Sequence, residues 1–270
     1  MSTESSQRKI VLLSGGSSGI GAAACTLLAG KGMKVYALSR RGTAPEHPLI
    51  TPLKADINDE TMVKEAVGKV ISLEGRIDIL VCNAGNGFAG SIEDIPTDTA
   101  RSQFETCYFG SLRLIREVLP HMRERKSGRI ITVASVAAVI PLPFQAHYSA
   151  VKSAVLSMTE ALSLEVEPFG IQCCCILPGD ASTGFTSARK TFAPEESPYH
   201  DTLKKSVGKM EKDEKGGMSP ERIAAAIVRQ ATRKRMKPTV TPGLQYKAIN
   251  VLYAILPRRF ALWIIGLLYA

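Results

Sequence analysis

The sequence has few of the residues from which metal sites are built. It holds only four histidines, and its six cysteines include no C-x-x-C pair. Neither the cysteine nor the histidine spacing matches that of a zinc site, so we expect no metal centre. Cys173–Cys175 lie inside an apolar run, where cysteine packs as a small hydrophobe. Reduced, structural cysteines in a cytoplasmic protein are the simplest interpretation.

The sequence also lacks the usual signals for secretion and for nucleic-acid binding. Residues 1–8 are polar and contain no apolar core of a signal peptide. The net charge is +9, yet the sequence has no zinc-finger or helix-turn-helix signature and no alternation of aromatic and basic residues. We therefore expect no nucleic-acid partner. The basic clusters at 233–237 and 258–259 suit a phosphate or an anionic membrane; for the first, solvated helix ends are an equal alternative.

What the sequence does contain is a regular alternation of short apolar runs and helical patterns. Hydrophobic residues make up 45% of the chain and charged residues 22%, as in a packed globular protein. The alternation predicts an α/β fold: a single-domain, Rossmann-type, doubly wound parallel sheet with helices on both faces. The long helix predicted over 97–125 should kink near Pro120. There is no internal repeat.

The first predicted strand, Lys9–Leu13, runs directly into a glycine-rich turn, Ser14–Gly21, and then into a helix. In a dinucleotide-binding unit such glycines have separate tasks. Gly15 allows the tight turn, Gly19 lets the backbone approach a pyrophosphate, and Gly21 permits close helix packing. The helix N-terminus adds N–H donors and a partial positive charge for the phosphates. The pattern favours nucleotide binding over a plain loop.

The second predicted strand ends at Ser39-Arg40-Arg41, where a dinucleotide fold meets the adenosine ribose. An acidic residue here would bind the free 2′-hydroxyl of NAD. A hydroxyl and two cations instead suit a 2′-phosphate, so the sequence predicts NADP as cofactor. Ser17 or Ser18 could add a hydroxyl donor. The alternative is a pair of exposed arginines at a strand end.

Tyr148 and Lys152 stand four residues apart in a predicted helix, so that both side chains lie on one face. The cation would favour the phenolate and so make the tyrosine a better proton donor. Ser135, at the end of the preceding strand, could hold a carbonyl oxygen as charge develops on it. Taken alone, the Tyr–Lys spacing favours an ordinary surface helix, and the catalytic interpretation gains weight only from the motifs upstream.

Over residues 9–183 the chain resembles the short-chain dehydrogenase/reductase family. The resemblance rests on Ser14–Gly21, Asp56, Asn83-Ala84-Gly85, Ser135, Tyr148-x-x-x-Lys152 and Pro178-Gly179, in matching order and spacing. Residues 75–85 and 127–129 look most like the 17β-hydroxysteroid dehydrogenase-like branch, which includes retinol and acyl-dihydroxyacetone-phosphate reductases.

The resemblance implies a role for each matched residue. Tyr148 would exchange a proton with a carbonyl oxygen, Lys152 would assist it and hold the nicotinamide ribose, and Ser135 would polarise the carbonyl. Asn83 would line the cofactor groove, Asp56 would contact adenine, and Thr183 would hold the nicotinamide amide. The predicted cofactor-binding residues are Gly15, Ser17, Ser18, Gly19, Ile20, Gly21, Ser39, Arg40, Arg41, Asp56, Ile57, Asn83, Ala84, Gly85, Tyr148, Lys152, Pro178, Gly179 and Thr183.

One position departs from the family pattern. Many members carry an asparagine three residues before the glycine matched by Gly110, where it serves a water-mediated proton relay; this chain has Cys107 there. A thiol is a weak hydrogen-bonding group. Either Tyr108, Ser111 or a backbone group supports the relay, or turnover is slow, or the alignment is off by one residue. The alternative function is accordingly a catalytically weak dinucleotide-binding sensor or scaffold, against which the intact Ser135, Tyr148 and Lys152 count.

We predict three parts along the chain: a polar tail (1–8), a catalytic domain (9–243) with a substrate lid (185–217), and an apolar helical segment (244–270). Neither half of that last segment reaches the ~20 residues needed to span a bilayer. An interfacial helix pair with arginines at headgroup depth fits it; a helix packed on its own domain or on a second subunit is the alternative. Membrane contact would place the protein peripherally at a membrane surface and favour a lipophilic ketone or alcohol: a steroid, a retinoid or a long-chain lipid.

Pairing through the helices of 97–125 and 148–167, as in family members, would give a homodimer or homotetramer.

Overall fold

The computed structural model describes residues 8–269, so the predicted polar tail lies outside the described residues except for Arg8. Within the described range the chain forms nine strands. They are β1 (Ile10–Ser14), β2 (Lys34–Ser39), β3 (Ile50–Lys54), β4 (Ile79–Cys82), β5 (Phe88–Gly90), β6 (Gly128–Val133), β7 (Ile171–Ile176), β8 (Lys190–Phe192) and β9 (Thr239–Val240).

Ten α-helices in the same described range connect and cover the strands. They are α1 (Gly19–Ala29), α2 (Glu60–Glu74), α3 (Thr97–Phe104), α4 (Gly110–Glu124), α5 (Ala146–Val166), α6 (Phe185–Ala188), α7 (His200–Lys215), α8 (Pro220–Thr232), α9 (Leu244–Ile255) and α10 (Arg258–Tyr269). Short 3₁₀ turns lie at Val136–Ala138 and Glu167–Phe169.

Seven strands form one parallel sheet in the order β3-β2-β1-β4-β6-β7-β9, and β5 pairs with β8 separately. The order changes direction between β1 and β4, where Ser14 lies opposite Cys82. In open parallel sheets a ligand crevice forms outside the carboxyl ends of the strands at such a switch point. The predicted doubly wound α/β sheet is confirmed.

Alternate residues of the central strands enter two separate cores. Leu12 of β1 packs with residues of α2, α4 and α5 on one face of the sheet. Val11 and Leu13 pack with residues of α1 and α8 on the other face. All five residues of β1 are buried, which explains why this strand reads as a continuous apolar run rather than an alternating one.

The long helix after β5 departs from the prediction in one respect. Helix α4 continues through Pro120, and the α-helical pattern is interrupted earlier, by a π-helical turn at Glu105–Phe109. Cys107 lies buried within this turn. A π-turn adds a residue to one turn of a helix and often accompanies a functional site. The deviation therefore falls beside the predicted catalytic residues rather than at the proline.

The C-terminal segment forms two helices, α9 and α10, whose inner faces pack on the chain's own domain. Tyr253, Ala261 and Ile265 form a small core with Ile140, in the loop after β6. Their outer faces leave large apolar side chains exposed, among them Ile255 and Trp263. In residues 8–269 no helix is both long enough and apolar enough to cross a membrane.

Candidate active site

The glycine turn after β1 is built so that its backbone stays open. Gly15 and Gly19 adopt φ angles of +72° and +53°, which side-chain-bearing residues rarely adopt. The Asn83 amide donates to the carbonyl oxygens of Ser14 (3.2 Å) and Gly15 (3.3 Å), and so fixes the turn against the end of β4. A Cβ atom at Gly21 would collide with the Gly15 carbonyl oxygen. The turn and the start of α1 therefore pack as the predicted dinucleotide cradle requires.

Two arginines stand at the far end of this cradle. Arg41 donates from Nη2 to the Ser17 hydroxyl at 3.1 Å, which joins the end of β2 to the glycine turn. Arg40 lines the same cavity. The Ser39 hydroxyl is turned to its own loop, where it donates to the Thr43 carbonyl oxygen at 3.1 Å. The two guanidinium groups and the Ser17 hydroxyl line the same cavity, and donors of this kind suit a phosphate group.

Ser135, Tyr148 and Lys152 line this cavity together. The Lys152 side chain is buried, and its ammonium donates to the Val133 carbonyl oxygen at 3.0 Å. That ammonium also lies 5.7 Å from the centroid of the Tyr148 ring. The Ser135 hydroxyl donates to the Pro178 carbonyl oxygen at 3.4 Å. A lysine makes up to three hydrogen bonds, so donors remain for a bound ligand.

Cys107, where the family resemblance leads us to expect an asparagine, lies near Lys152. The Cys107 thiol contacts the Asn86 side-chain oxygen at 3.6 Å. A Cβ atom at Gly85 would lie 3.4 Å from the Cys107 sulfur and 3.7 Å from the Lys152 nitrogen, so the two groups flank one small space. Asn86 lines the cavity but was not predicted from the sequence, although it directly follows the Asn83–Gly85 motif.

All predicted site residues line one cavity of about 1030 Å³ except Gly21, which is buried against Gly15. Other residues that line this cavity were not predicted from the sequence. Phe185 packs its ring 5.9 Å from that of Tyr148. A mainly apolar part of the wall comes from α9 and α10, and its residues are Tyr246, Ile249, Leu252, Tyr253, Leu256, Ala261, Ile264, Ile265, Leu268 and Tyr269.

Four of the buried cysteines are poorly suited to act as thiolate nucleophiles. Burial raises the pKa of the Cys25, Cys82, Cys173 and Cys174 thiols to about 12, which keeps them protonated at neutral pH. Over residues 8–269 there is no cluster of three histidine, cysteine or acidic side chains that could hold a metal ion.

Comparison with known proteins supplies independent information. A family model described as short chain dehydrogenase matches residues 9–193. The chain is 37% identical to a 3-ketodihydrosphingosine reductase of Bacteroides thetaiotaomicron over 232 residues, 84% of this chain and 85% of the relative. It is 34% identical to the 17-beta-hydroxysteroid dehydrogenase type 1 of Homo sapiens over 204 residues, 70% of this chain and 61% of that protein.

The fold matches a solved structure over nearly its whole length. A short-chain dehydrogenase from Streptomyces avermitilis superposes with a TM-score of 0.84 at 27% identity, covering 93% of each chain. The match therefore includes the central sheet and most of the chain that follows it.

Proposed function

Because this chain belongs to the short-chain dehydrogenase family, we propose that it is an NADP(H)-dependent oxidoreductase that interconverts a ketone and a secondary alcohol on a lipophilic substrate. The observation that carries the proposal is the shared cavity. Ser135, Tyr148 and Lys152 line the same space as the glycine turn and the two arginines after β2. In carbonyl reduction a hydride is added to the carbon and a proton to the oxygen, so both donors must share one space with the substrate.

NADPH, when bound, supplies the hydride. Tyr148 donates its phenolic proton to the carbonyl oxygen, and the Lys152 ammonium stabilises the phenolate that remains. Ser135 turns its hydroxyl from the Pro178 carbonyl toward the substrate oxygen and stabilises the charge that develops there. In the oxidative direction Tyr148 takes the proton back.

We propose NADP rather than NAD because the end of β2 offers cations and no carboxylate to the ribose. Arg41 is held over the glycine turn by Ser17, and Arg40 lies beside it. A guanidinium pairs with a phosphate through two parallel hydrogen bonds, which a bare 2′-hydroxyl cannot match. An NADP preference in turn favours reduction as the direction of the reaction.

The apolar wall from α9 and α10 supports a lipophilic substrate. A long-chain lipid ketone fits best among the steroid, retinoid and lipid classes, since the chain covers most of a relative named for 3-ketodihydrosphingosine. A steroid ketone is the second candidate, because another relative is named as a 17-beta-hydroxysteroid dehydrogenase. We further propose that residues 185–217 act as a lid over this cavity.

We propose that the outer face of α9 and α10 rests on a membrane surface. Residues 244–269 contain Lys247, Arg258 and Arg259 and no acidic residue. Large apolar side chains, such as Ile255 and Leu267, are more than half exposed there. This combination is typical of an interfacial helix that binds anionic lipid. The protein would then be peripheral at a cytoplasmic membrane surface and form a dimer or tetramer through α4 and α5.

Nicotinamide absorbance tests the proposal. Purified protein in mild detergent is mixed with NADPH or NADH and with long-chain, steroid and retinoid ketones. We expect NADPH oxidation with one lipophilic class. Faster oxidation of NADH would overturn the cofactor proposal, and tight NADPH binding without turnover of any class would favour a sensor.

A further inference from the structure

One end of the apolar cavity carries a carboxylate that the reaction described above does not use. Asp180 lines the cavity and follows Pro178 by two residues. The Pro178 carbonyl oxygen accepts the Ser135 hydroxyl. Two residues of chain span at most about 7 Å. The Cα atom of Asp180 therefore lies within about 7 Å of that of Pro178, on the wall of the cavity that Ser135 and Tyr148 also line.

The neighbouring carboxylates are paired with cations, whereas Asp180 is not. Glu214 receives Arg189 Nη1 at 2.7 Å, and Asp213 receives the Lys209 ammonium at 3.1 Å. Among residues 8–269, Asp180 forms no salt bridge; its side chain accepts one hydrogen bond, from the Tyr246 hydroxyl at 2.9 Å. Burial, with the charges of Asp213 and Glu214, raises the pKa of Asp180, and the Tyr246 hydrogen bond opposes that rise.

A lone carboxylate in an apolar cavity is costly, because the protein gives its charge no counterion. If the substrate were uncharged, an amide or a hydroxyl at this position could make the same hydrogen bond, and burying it would destabilise the fold less. A cation brought in by the substrate would supply the missing positive charge.

We propose that Asp180 binds an ammonium group of the substrate inside the cavity that Ser135 and Tyr148 also line, so that the preferred substrate is a long-chain amino ketone. The inference rests on the proposed function and narrows its substrate class. The apolar wall of α9 and α10 takes the alkyl chain, Asp180 takes the ammonium, and Ser135 and Tyr148 take the carbonyl oxygen. Steroid and retinoid ketones, which carry no cation, would leave Asp180 without a partner.

A purely structural role for Asp180 is the competing explanation, because its bond to Tyr246 ties α9 to the loop after β7. Asp180→Asn separates the two. The asparagine oxygen still accepts from the Tyr246 hydroxyl, while the negative charge is lost. Asp213→Asn is the matched control, since it removes a nearby charge from outside the cavity wall.

The experiment compares two ketones of equal chain length, one with an amino group beside the carbonyl and one without it. For Asp180→Asn we expect KM for the amino ketone to rise about tenfold or more, so that the preference of the wild type for the amino ketone over the uncharged ketone is lost. Asp213→Asn should resemble the wild type. Equal losses on both ketones, or a wild-type enzyme indifferent to the amino group, would overturn the proposal.

A binding measurement keeps the test independent of turnover. Titration calorimetry in the presence of NADP compares a long-chain amino alcohol with the matched alcohol. We expect the amine to bind about tenfold more tightly to the wild type and equally tightly to Asp180→Asn. If the wild type prefers the amine but reduces no ketone, the ammonium site is supported and the proposed oxidoreductase function is refuted. If the wild type reduces ketones but binds amine and alcohol equally, the oxidoreductase function is supported and the ammonium site is refuted.

Discussion

The ammonium group of Lys152 lies 5.7 Å from the centroid of the Tyr148 ring and is held there by a 3.0 Å hydrogen bond to the Val133 carbonyl oxygen. One turn of α5 separates the two residues, and Val133, whose carbonyl oxygen binds the lysine, is the last residue of β6. The cation is thus positioned by backbone rather than by another charged side chain. No other charged side chain is needed to hold the ammonium in place, and two of its donors remain for a ligand.

The two arginines after β2 should decide between the nicotinamide cofactors. Replacing both, as Arg40→Ala with Arg41→Ala, removes the cations from the ribose end of the cavity. We expect the affinity for NADPH to fall at least about tenfold, because hydrogen bonds to charged groups are each worth about 1.5–3 kcal/mol. The affinity for NADH should change little. Parallel titrations followed by protein fluorescence measure both, and an equal loss for the two cofactors would contradict the assignment.

Two glycines give opposite predictions for the same substitution. Gly68 is exposed in the middle of α2 with open space around it, so Gly68→Ala should raise the free energy of unfolding by about 0.5–1 kcal/mol. Gly21→Ala would push a methyl group into the Gly15 carbonyl and to 2.6 Å from the Asn83 amide nitrogen. Gly21→Ala should therefore lower the free energy of unfolding by about 1–3 kcal/mol and weaken NADPH binding. Urea denaturation with and without NADPH measures both variants.

The single tryptophan of the chain reports on membrane contact. Trp263 lies on the outer face of α10 and is 58% exposed. With vesicles of anionic phospholipid we expect its emission to shift to shorter wavelength, and Arg259→Gln to weaken binding about fivefold, since a basic residue near the surface is worth ~1 kcal/mol. Leu267→Glu should abolish binding, whereas Leu73→Glu, an exposed leucine on α2, should not. Identical behaviour of these two leucine variants would refute the membrane face.

Asp180 should lower the stability of the protein at neutral pH. Its pKa is raised in the folded state, so the charge it gains as the pH rises disfavours folding. The stability it contributes is fully present below its unfolded pKa and is lost as the pH rises through the folded one. Asp180→Asn, which does not titrate, should therefore be more stable than the wild type at about pH 7, with the gain shrinking toward about pH 4. Denaturant titrations across this range check the sign; a variant less stable at about pH 7 would contradict it.

The sequence predicts best those features that follow from local patterns. The glycine turn, the strand ends and the four-residue spacing of Tyr148 and Lys152 are each contained in a short stretch of chain, and the parallel topology brings them to one edge of the sheet. Their meeting in one cavity could thus be predicted once the alternation of strands and helices was recognised.

The rest depends on contacts between distant residues. The apolar pattern of 244–269 predicts helices but not that Tyr253 packs on Ile140, with one face over the cavity and the other exposed. Asp180 follows the predicted Pro178–Gly179 motif directly, yet only its contact with Tyr246, 66 residues later, reveals its environment. The π-turn around Cys107 has no signature that single-sequence propensities contain.

Single-turnover ketone reduction by the wild type and Tyr148→Phe tests the central claim most directly. With saturating NADPH and a long-chain ketone, we predict that the phenylalanine variant loses about 10²–10⁴-fold in rate, because it removes the proton donor. Its NADPH affinity should stay within about twofold of the wild type, since the Lys152 and Val133 contact is untouched. A Tyr148→Phe protein that reduces the ketone at the wild-type rate would contradict the account.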